Sequence, residues 1–421
     1  MTSINLSRYM SLGTSKLPYF FLLALFLVSS VVCAETYKEK KERFLRNAAI
    51  ANGYSDLATS KPEYDDLKAE LGKFLFEEKL ISYNGEIACV DCHLSEFSGG
   101  DGIPVSIGLN GAGKSVERIK SGGKVIPRNS LTLWGRGDLD FNAFFWDGRV
   151  ENLDNKISSQ FGQNAPSDQL LEVAVHLPVL ELGEMLIEDD FIRSQRLESQ
   201  ESAKAVLQRL ADNFERAFPD KASELKNAFG FEKDKPLEFI LIAKAISQFI
   251  KRDFAVEAHA FNDFVFNNAS ISEDELDGGI LFYGKGKCAA CHSGRHFSDF
   301  NYHTVAVGQM AQGKNGFGVD YGRFNVTHDP KDLYAFRTAP LVDVTDTFPY
   351  GHSGSAMELE EVITDHFDPL KKLANESYNA QQRINFNKVI KASGRTLIDV
   401  PHLSDQELSK IVKFLGLLRV E

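Results

Sequence analysis

Apolar positions along this chain recur at helical spacing and seldom alternate. Leu67, Leu71, Phe74 and Leu75 form the stripe of an amphipathic helix. A second stripe, Leu276, Ile280, Leu281 and Phe282, follows Ser272-Glu-Asp-Glu275, which has the form of a helix N-cap with a capping box. Between them, residues 236–266 are rich in Ile, Leu, Phe and Ala and predict one long buried helix. Gly, Asn and Ser crowd residues 98–130 and again 308–322, the mark of loops. Strand signal is thin throughout, so the expected class is mainly α.

One apolar stretch has no polar face. Residues 17–32 follow Arg8 and Lys16, no acidic residue precedes Glu35, and small residues surround Ala34. This is the layout of a secretory signal peptide over residues 1–34, and the stretch is shorter than the ~20 residues of a bilayer span. The expected location is therefore the periplasm, with no membrane attachment after cleavage. The chain of 421 residues is long enough for two domains, and 43% hydrophobic with 25% charged residues suits a globular protein. The net charge of −12 becomes two units more negative without the leader. That excludes nucleic acid as a natural partner and favours a basic protein, if any.

Of five cysteines, Cys33 lies in the leader. The others form Cys89-Val-Asp-Cys92-His93 and Cys288-Ala-Ala-Cys291-His292. A lone Cys-x-x-Cys could be a redox pair, and two could hold zinc, but neither chemistry needs His directly after both second cysteines. Cys-x-x-Cys-His is the attachment signal for c-type haem: the thiols add to the vinyl groups and the His becomes the proximal iron ligand. Each motif follows an amphipathic stripe, so the reading is two tandem cytochrome c-like domains, residues 35–250 and 251–421, each with one covalent haem c.

Further segments then fall into a known order. After the first haem motif come Asp101-Gly-Ile-Pro-Val-Ser-Ile-Gly108, Pro127-Arg-Asn-Ser130 and Phe144-Phe-Trp-Asp-Gly-Arg149. After the second come Phe336-Arg-Thr-Ala-Pro-Leu341, Phe348-Pro-Tyr-Gly-His-Ser-Gly354 and Leu359-Glu-Glu-Val-Ile363. Over most of the mature chain this resembles the di-haem cytochrome c peroxidase family, including its MauG-type branch. The resemblance implies an oxidoreductase that reacts with H2O2 at the N-terminal haem and uses the C-terminal haem to store or relay oxidising equivalents. It also implies a redox partner (a small cytochrome, a copper protein or a protein substrate) and, often, a homodimer. MauG-like oxidation of side chains in a partner protein is the alternative, and a non-catalytic di-haem electron carrier a further one.

The resemblance carries roles to particular residues. Many family members place a His after the Ser-Ile-Gly segment to cap the resting first iron. Here the segment reads Ser106-Ile-Gly-Leu-Asn-Gly111, and no His occurs between His93 and His176, so an open first haem is expected with His176 as a pocket neighbour. The general acid/base matches Glu184 of the Glu184-Met185 pair, with Pro178 nearby. Lys156 stands in the register of a family Gln. The sixth ligand of the second iron matches His366, with His352, Met357 and Met310 as rivals and His352 expected near the haem edge. Trp146 matches the residue between the haems, and Asn129, Thr347 and Pro349 match a Ca²⁺ site of oxygen ligands.

Overall fold

The computed structural model describes residues 35–59, 61–195, 200–309, 312–374, 378–393 and 402–420. The expected leader and Met310 lie outside the described residues. Of the described residues, those up to Arg43 fall in one compact unit and those from Phe44 on in another; every contact described below lies within the second. Helices dominate: α1 (Tyr37–Ala51), α2 (Asp66–Glu77), α3 (Leu170–Val175), α4 (Phe239–Asp253), α5 (Ala260–Phe266), α6 (Glu273–Tyr283), α7 (Leu359–Phe367) and α8 (Asp405–Gly416) carry the parts of the fold that matter here. No described helix is long and apolar enough to cross a membrane.

Local sequence explains the helix starts. The Asp65 side chain accepts from Lys68 N and opens α2. Ser272 and Glu275 form the expected capping box at α6, with Ser272 N donating to Glu275 Oε2 at 2.7 Å. Leu71 and Leu75 of α2 are buried, whereas Leu67, one turn earlier, is 65% exposed because the stripe rotates out of the packed face. The long helix expected over residues 236–266 is two helices instead. Helix α4 ends in Lys251 and Arg252, which suit a C-terminal dipole, and the His259 side chain then caps α5 by accepting from Asn262 N.

The buried residues form two main hydrophobic clusters. One runs from Leu71 to Phe254; the other joins Leu45, Ala49 and Tyr54 to residues from Phe261 onward. The stretch before α2 therefore packs with the second cluster. Each cluster is built around the same helix crossing. A Cβ on Gly72 of α2 would lie 1.9 Å from the Ala245 carbonyl oxygen and 2.9 Å from Phe249 Cβ of α4. A Cβ on Gly278 of α6 would lie 1.9 Å from the Lys410 carbonyl oxygen and 3.0 Å from Phe414 Cβ of α8. In both pairs a glycine lets two backbones touch over a phenylalanine, directly ahead of a haem motif.

Strands are short. β1 (Ala143–Phe144), β2 (Val150–Leu153) and β3 (Lys156–Ser159) form an antiparallel sheet in that order, with Phe144 opposite Val150 and Leu153 opposite Lys156. β4 (Tyr302–His303) pairs with β7 (Phe336–Arg337), and β5 (Gln312–Gly313) with β6 (Gly316–Phe317). The last pair turns part of the Gly-rich 308–322 loop into a hairpin. Trp146-Asp-Gly-Arg149 occupies the β1–β2 connection. Gly148 there, at φ 65°, admits Tyr302, whose hydroxyl lies 1.7 Å from where a Cβ would sit.

Gly278→Val should destabilise the protein by about 1–3 kcal/mol, the cost of overpacking a closed crossing. Gly416→Ala, with open space around its Cβ, should fall within about 0.5 kcal/mol. Denaturant titration of the haem-loaded protein measures both; equal midpoints would mean that the α6–α8 crossing is not tight.

Candidate active site

Each Cys-x-x-Cys-His motif folds as one 3₁₀ turn. In the first, Cys92 N and His93 N both donate to the Cys89 carbonyl, at 3.2 and 3.0 Å, and Asp91 accepts from Ala88 N at 2.9 Å. In the second, Cys291 N and His292 N donate to the Cys288 carbonyl at 3.2 and 2.8 Å. The turn puts both thiols and the imidazole on one wall. His93 Nδ1 pairs with the Gly99 carbonyl at 2.8 Å and His292 Nδ1 with the Phe297 carbonyl at 3.0 Å. A carbonyl only accepts, so the proton sits on Nδ1 and Nε2 is free to bind a metal. Burial pushes both imidazoles down to about 4, which keeps them neutral and ligand-competent. Burial also pushes the Cys89 and Cys288 thiols up to about 12, the opposite of a redox pair. The two cysteine pairs line different cavities, so they do not share a zinc ion.

The cavities enclose about 1410 Å³ and 1970 Å³ of atom-free space, partly open to solvent. Asn129, Ser130, Leu131, Arg136 and Trp146 line both, so Trp146 stands in a common wall, its Nε1 donating to the Asn129 carbonyl at 3.0 Å. Arg136 and Arg337, the latter in the second cavity, are buried, and each has an Nη2 with no hydrogen-bond partner. Burial lowers the pKa of both guanidinium groups, Arg337 to about 10. Unpaired buried cations are costly unless an anion meets them. Haem brings two propionate carboxylates, so these cavities and donors fit one haem each.

His93 and residues between Leu177 and Met185 line the first cavity together. Pro178 opens a 3₁₀ turn, and Pro178, Glu181, Glu184 and Met185 line the space. The Ser106-Ile-Gly108 loop lies against this wall: Leu109 N donates to the Gly183 carbonyl at 3.0 Å, and a Cβ on Gly108 would meet that oxygen at 2.1 Å. Burial and the charge of Glu181 push Glu184 up to about 7, against the pull of Arg149 and Lys314. Glu181 is half-buried, and Lys314 and Arg149 hold it below the usual carboxylate range. Arg149 Nη1 donates to Glu181 Oε2 at 3.0 Å, and Lys314 Nζ lies 3.7 Å from Glu181 Oε1.

One expected neighbour, His176, is elsewhere, and Lys156, whose place the sequence left open, also lies outside the cavity. His176 is buried between Phe161 and Phe239, its Nδ1 pairing with the Glu172 carbonyl at 2.7 Å, and it does not line the cavity. Among the described residues His93 is the only histidine that does. Lys156, exposed at the β2–β3 turn, faces a separate surface pocket with Asp168 and Lys251. The lysine that does line the cavity is Lys314, from the turn of the β5–β6 hairpin. Its remoteness in sequence from residue 184 hid it; only the Gly-rich character of its loop was visible.

In the second cavity the structure brings His292 and His366 together. His366 Nδ1 pairs with the Val362 carbonyl one turn back in α7 at 2.7 Å, which again frees Nε2. Its charge helps lower the His292 pKa, so the rings are close. His352 also lines this cavity, stacked on Phe336 at 3.9 Å between centroids, with Nε2 3.0 Å from Gln309 Oε1. Met357 is 50% exposed and not part of the lining. Asn129, Thr347 and Pro349 all line it.

The family model for di-haem cytochrome c peroxidase matches residues 66–270. The chain is 28% identical over 331 residues to the methylamine utilization protein MauG of Methylorubrum extorquens, covering 78% of this chain and 74% of that protein. It is 27% identical over 295 residues to cytochrome c551 peroxidase of Pseudomonas aeruginosa, covering 70% of each. Among solved structures it shares a fold with the diheme peroxidase BthA from Burkholderia thailandensis, at TM-score 0.61 and 17% identity, covering 87% of this chain and 89% of that one. A MauG-like protein associated with microbial copper homeostasis matches at TM-score 0.57 and 22% identity, covering 86% and 93%. With two Cys-x-x-Cys-His turns, each opening on its own cavity, the chain is similar to the di-haem cytochrome c peroxidases and MauG proteins, haem oxidoreductases of the peroxidase kind.

Proposed function

We propose that the chain is a periplasmic peroxidase of two haem domains, divided near residue 250, in which the haem held by Cys89, Cys92 and His93 meets H2O2 and the haem held by Cys288, Cys291, His292 and His366 stores and relays electrons. The observation that carries this reading is the contrast between the cavities. One is lined by its Cys-x-x-Cys-His imidazole and a carboxylate of pKa about 7, the other by its imidazole and a second one, His366. Haem, when bound, supplies an iron that takes peroxide oxygen and exchanges electrons.

The protein's share of the work is positioning and proton transfer. In its carboxylate form Glu184 accepts the proton of the inner peroxide oxygen and returns it to the outer one, so that the departing oxygen leaves as water. Two electrons and two protons in all convert H2O2 to two waters. Pro178 narrows the wall beside Glu184, and Trp146 carries electrons between the cavities. His93 and His292 stay neutral and oriented through their Nδ1–H bonds to backbone carbonyls. His366, lining the same cavity as His292 with its Nε2 free, would hold the second haem's iron from a further side and so keep substrate from it. Electrons come from a small cytochrome or copper protein, with basic donors favoured by the acidic chain. Asn129, Thr347 and Pro349, on one wall, are the proposed ligands of a Ca²⁺ between the domains.

MauG-like oxidation of a partner protein is the second reading. Among the described residues the first cavity has no lining histidine besides His93, which favours this reading, since no resting cap then has to be displaced.

Resting-state electron paramagnetic resonance should show one high-spin and one low-spin ferric signal, and His366→Ala should turn the low-spin signal high-spin. Two low-spin signals and no response to H2O2 would leave an electron carrier instead.

Because Glu184 must be ionised to take the proton, the rate of reaction with H2O2 should rise with pH through about 7 and fall away below it. Glu184→Gln should slow that reaction by about 10²–10⁴-fold and remove this limb, while the resting spectra persist. Unchanged stopped-flow kinetics would take Glu184 out of the mechanism.

A further inference from the structure

Of the cations that line the first cavity, Arg149 and Lys314 stand beside Glu181, and they are not equivalent. Arg149 is committed: Nε and Nη2 each donate to Asp147 at 3.0 Å, and Nη1 donates to Glu181 at 3.0 Å. Lys314 is not. Its ammonium lines the same cavity as Glu184 and has only the 3.7 Å ion pair with Glu181, too long for a hydrogen bond. Among the described residues no acceptor lies within hydrogen-bond reach of its N–H groups.

The loop that delivers this ammonium is held in place. Lys314 and Asn315 form the two-residue turn between β5 and β6. A Cβ on Gly313 would lie 2.0 Å from the Val319 carbonyl oxygen, so the hairpin is tightly folded back. Asn315 Oδ1 accepts from Tyr321 N at 2.8 Å, and Asp320 takes two hydrogen bonds from Arg128, at 2.8 and 3.0 Å. Arg128 in turn donates to Asp147 at 2.6 Å. The hairpin's base is thereby pinned to the Trp146-Asp-Gly-Arg149 turn, and Lys314 at its exposed tip lines the first cavity from the solvent side.

We propose that Lys314 is a substrate-binding residue of the first cavity: its ammonium donates a hydrogen bond to the outer oxygen of H2O2, or to any small anion in that position, while Arg149 keeps Glu181 ionised and occupied. The inference rests on the reading that the first haem is the open one. It also means that the second half of the chain completes the peroxide site of the first. A cation there steadies the negative charge that grows on the outer oxygen before Glu184 returns the proton. Removing the cation also removes one of the two charges that oppose the upward push of burial and Glu181 on Glu184.

The test is fluoride titration of the ferric, haem-loaded protein, followed by optical and electron paramagnetic resonance spectra, for wild type, Lys314→Met and Lys314→Arg. Fluoride is a small anion that binds open ferric haem and accepts hydrogen bonds. Lys314→Met should weaken fluoride binding and slow the reaction with H2O2 by about tenfold to a hundredfold, the worth of one charge-assisted hydrogen bond. Lys314→Arg should recover most of both, and the low-spin signal of the second haem should be the same in all three proteins, which verifies folding. If wild type binds fluoride at the first haem and Lys314→Met binds it equally well, Lys314 is only an ion-pair partner of Glu181 and the inference is wrong. If wild type binds no fluoride at all, the open first haem fails, and the role of Lys314 fails with it.

Discussion

Asp147 is almost wholly buried, and two guanidinium groups reach its carboxylate, Arg128 at 2.6 Å and Arg149 at 3.0 Å. Burial alone would raise its pKa, but the two arginines hold it far below the usual range. Charges this deep persist only when each is met by another, and removing one member strands the rest. The chain of pairs continues in both directions: Arg128 clamps Asp320, and Arg149 passes to Glu181, beside which Lys314 stands. Arg323, from the loop after Asp320, donates to the Asp147 and Gly148 carbonyls and pairs with Glu151. One carboxylate in a β-turn connection thus ties a C-terminal loop to the wall that carries Glu184.

The same turn serves the other side of the molecule. Trp146, one residue before Asp147, lines both cavities, and its own carbonyl accepts from Arg337 N at 2.8 Å. Phe145 takes up a left-handed φ of 66°, and its carbonyl accepts from Arg337 Nε at 3.0 Å. An aromatic residue in that region is strained and persists where surrounding contacts over-determine it. Here they do, because the segment must present Trp146 between two cavities while Asp147 turns back into its ion pairs.

The two haem cavities share their proximal construction and the glycine-over-phenylalanine helix crossing that precedes it. They differ in the charged and ligating groups that line them: Glu184, Lys314 and Arg149 in one, His366 in the other. A repeated scaffold with unlike opposite walls is an economical way to obtain two chemistries, since the parts that fix haem orientation need not change while the parts that decide access do.

How much of this was legible in the sequence depends on how local each feature is. The haem turns, the capping box at Ser272 and the mainly helical class were readable because the residues that create them are neighbours in the chain. Glu184 and His366 were readable through motif register, and each faces a haem cavity. The solvent exposure of Leu67, the break at Phe254 and the withdrawal of His176 and Lys156 from the first cavity were not, because each depends on which face of an element meets a distant partner. Lys314 is the clearest case. Nothing near residue 314 refers to residue 184, and only the pairing of Arg128 with Asp320, remote in sequence and buried together, brings that hairpin to the cavity. The sequence by itself determined the two Cys-x-x-Cys-His turns, since those are properties of adjacent side chains; the tertiary structure alone decided which charges share the first cavity, since buried charges must find partners wherever in the chain they lie.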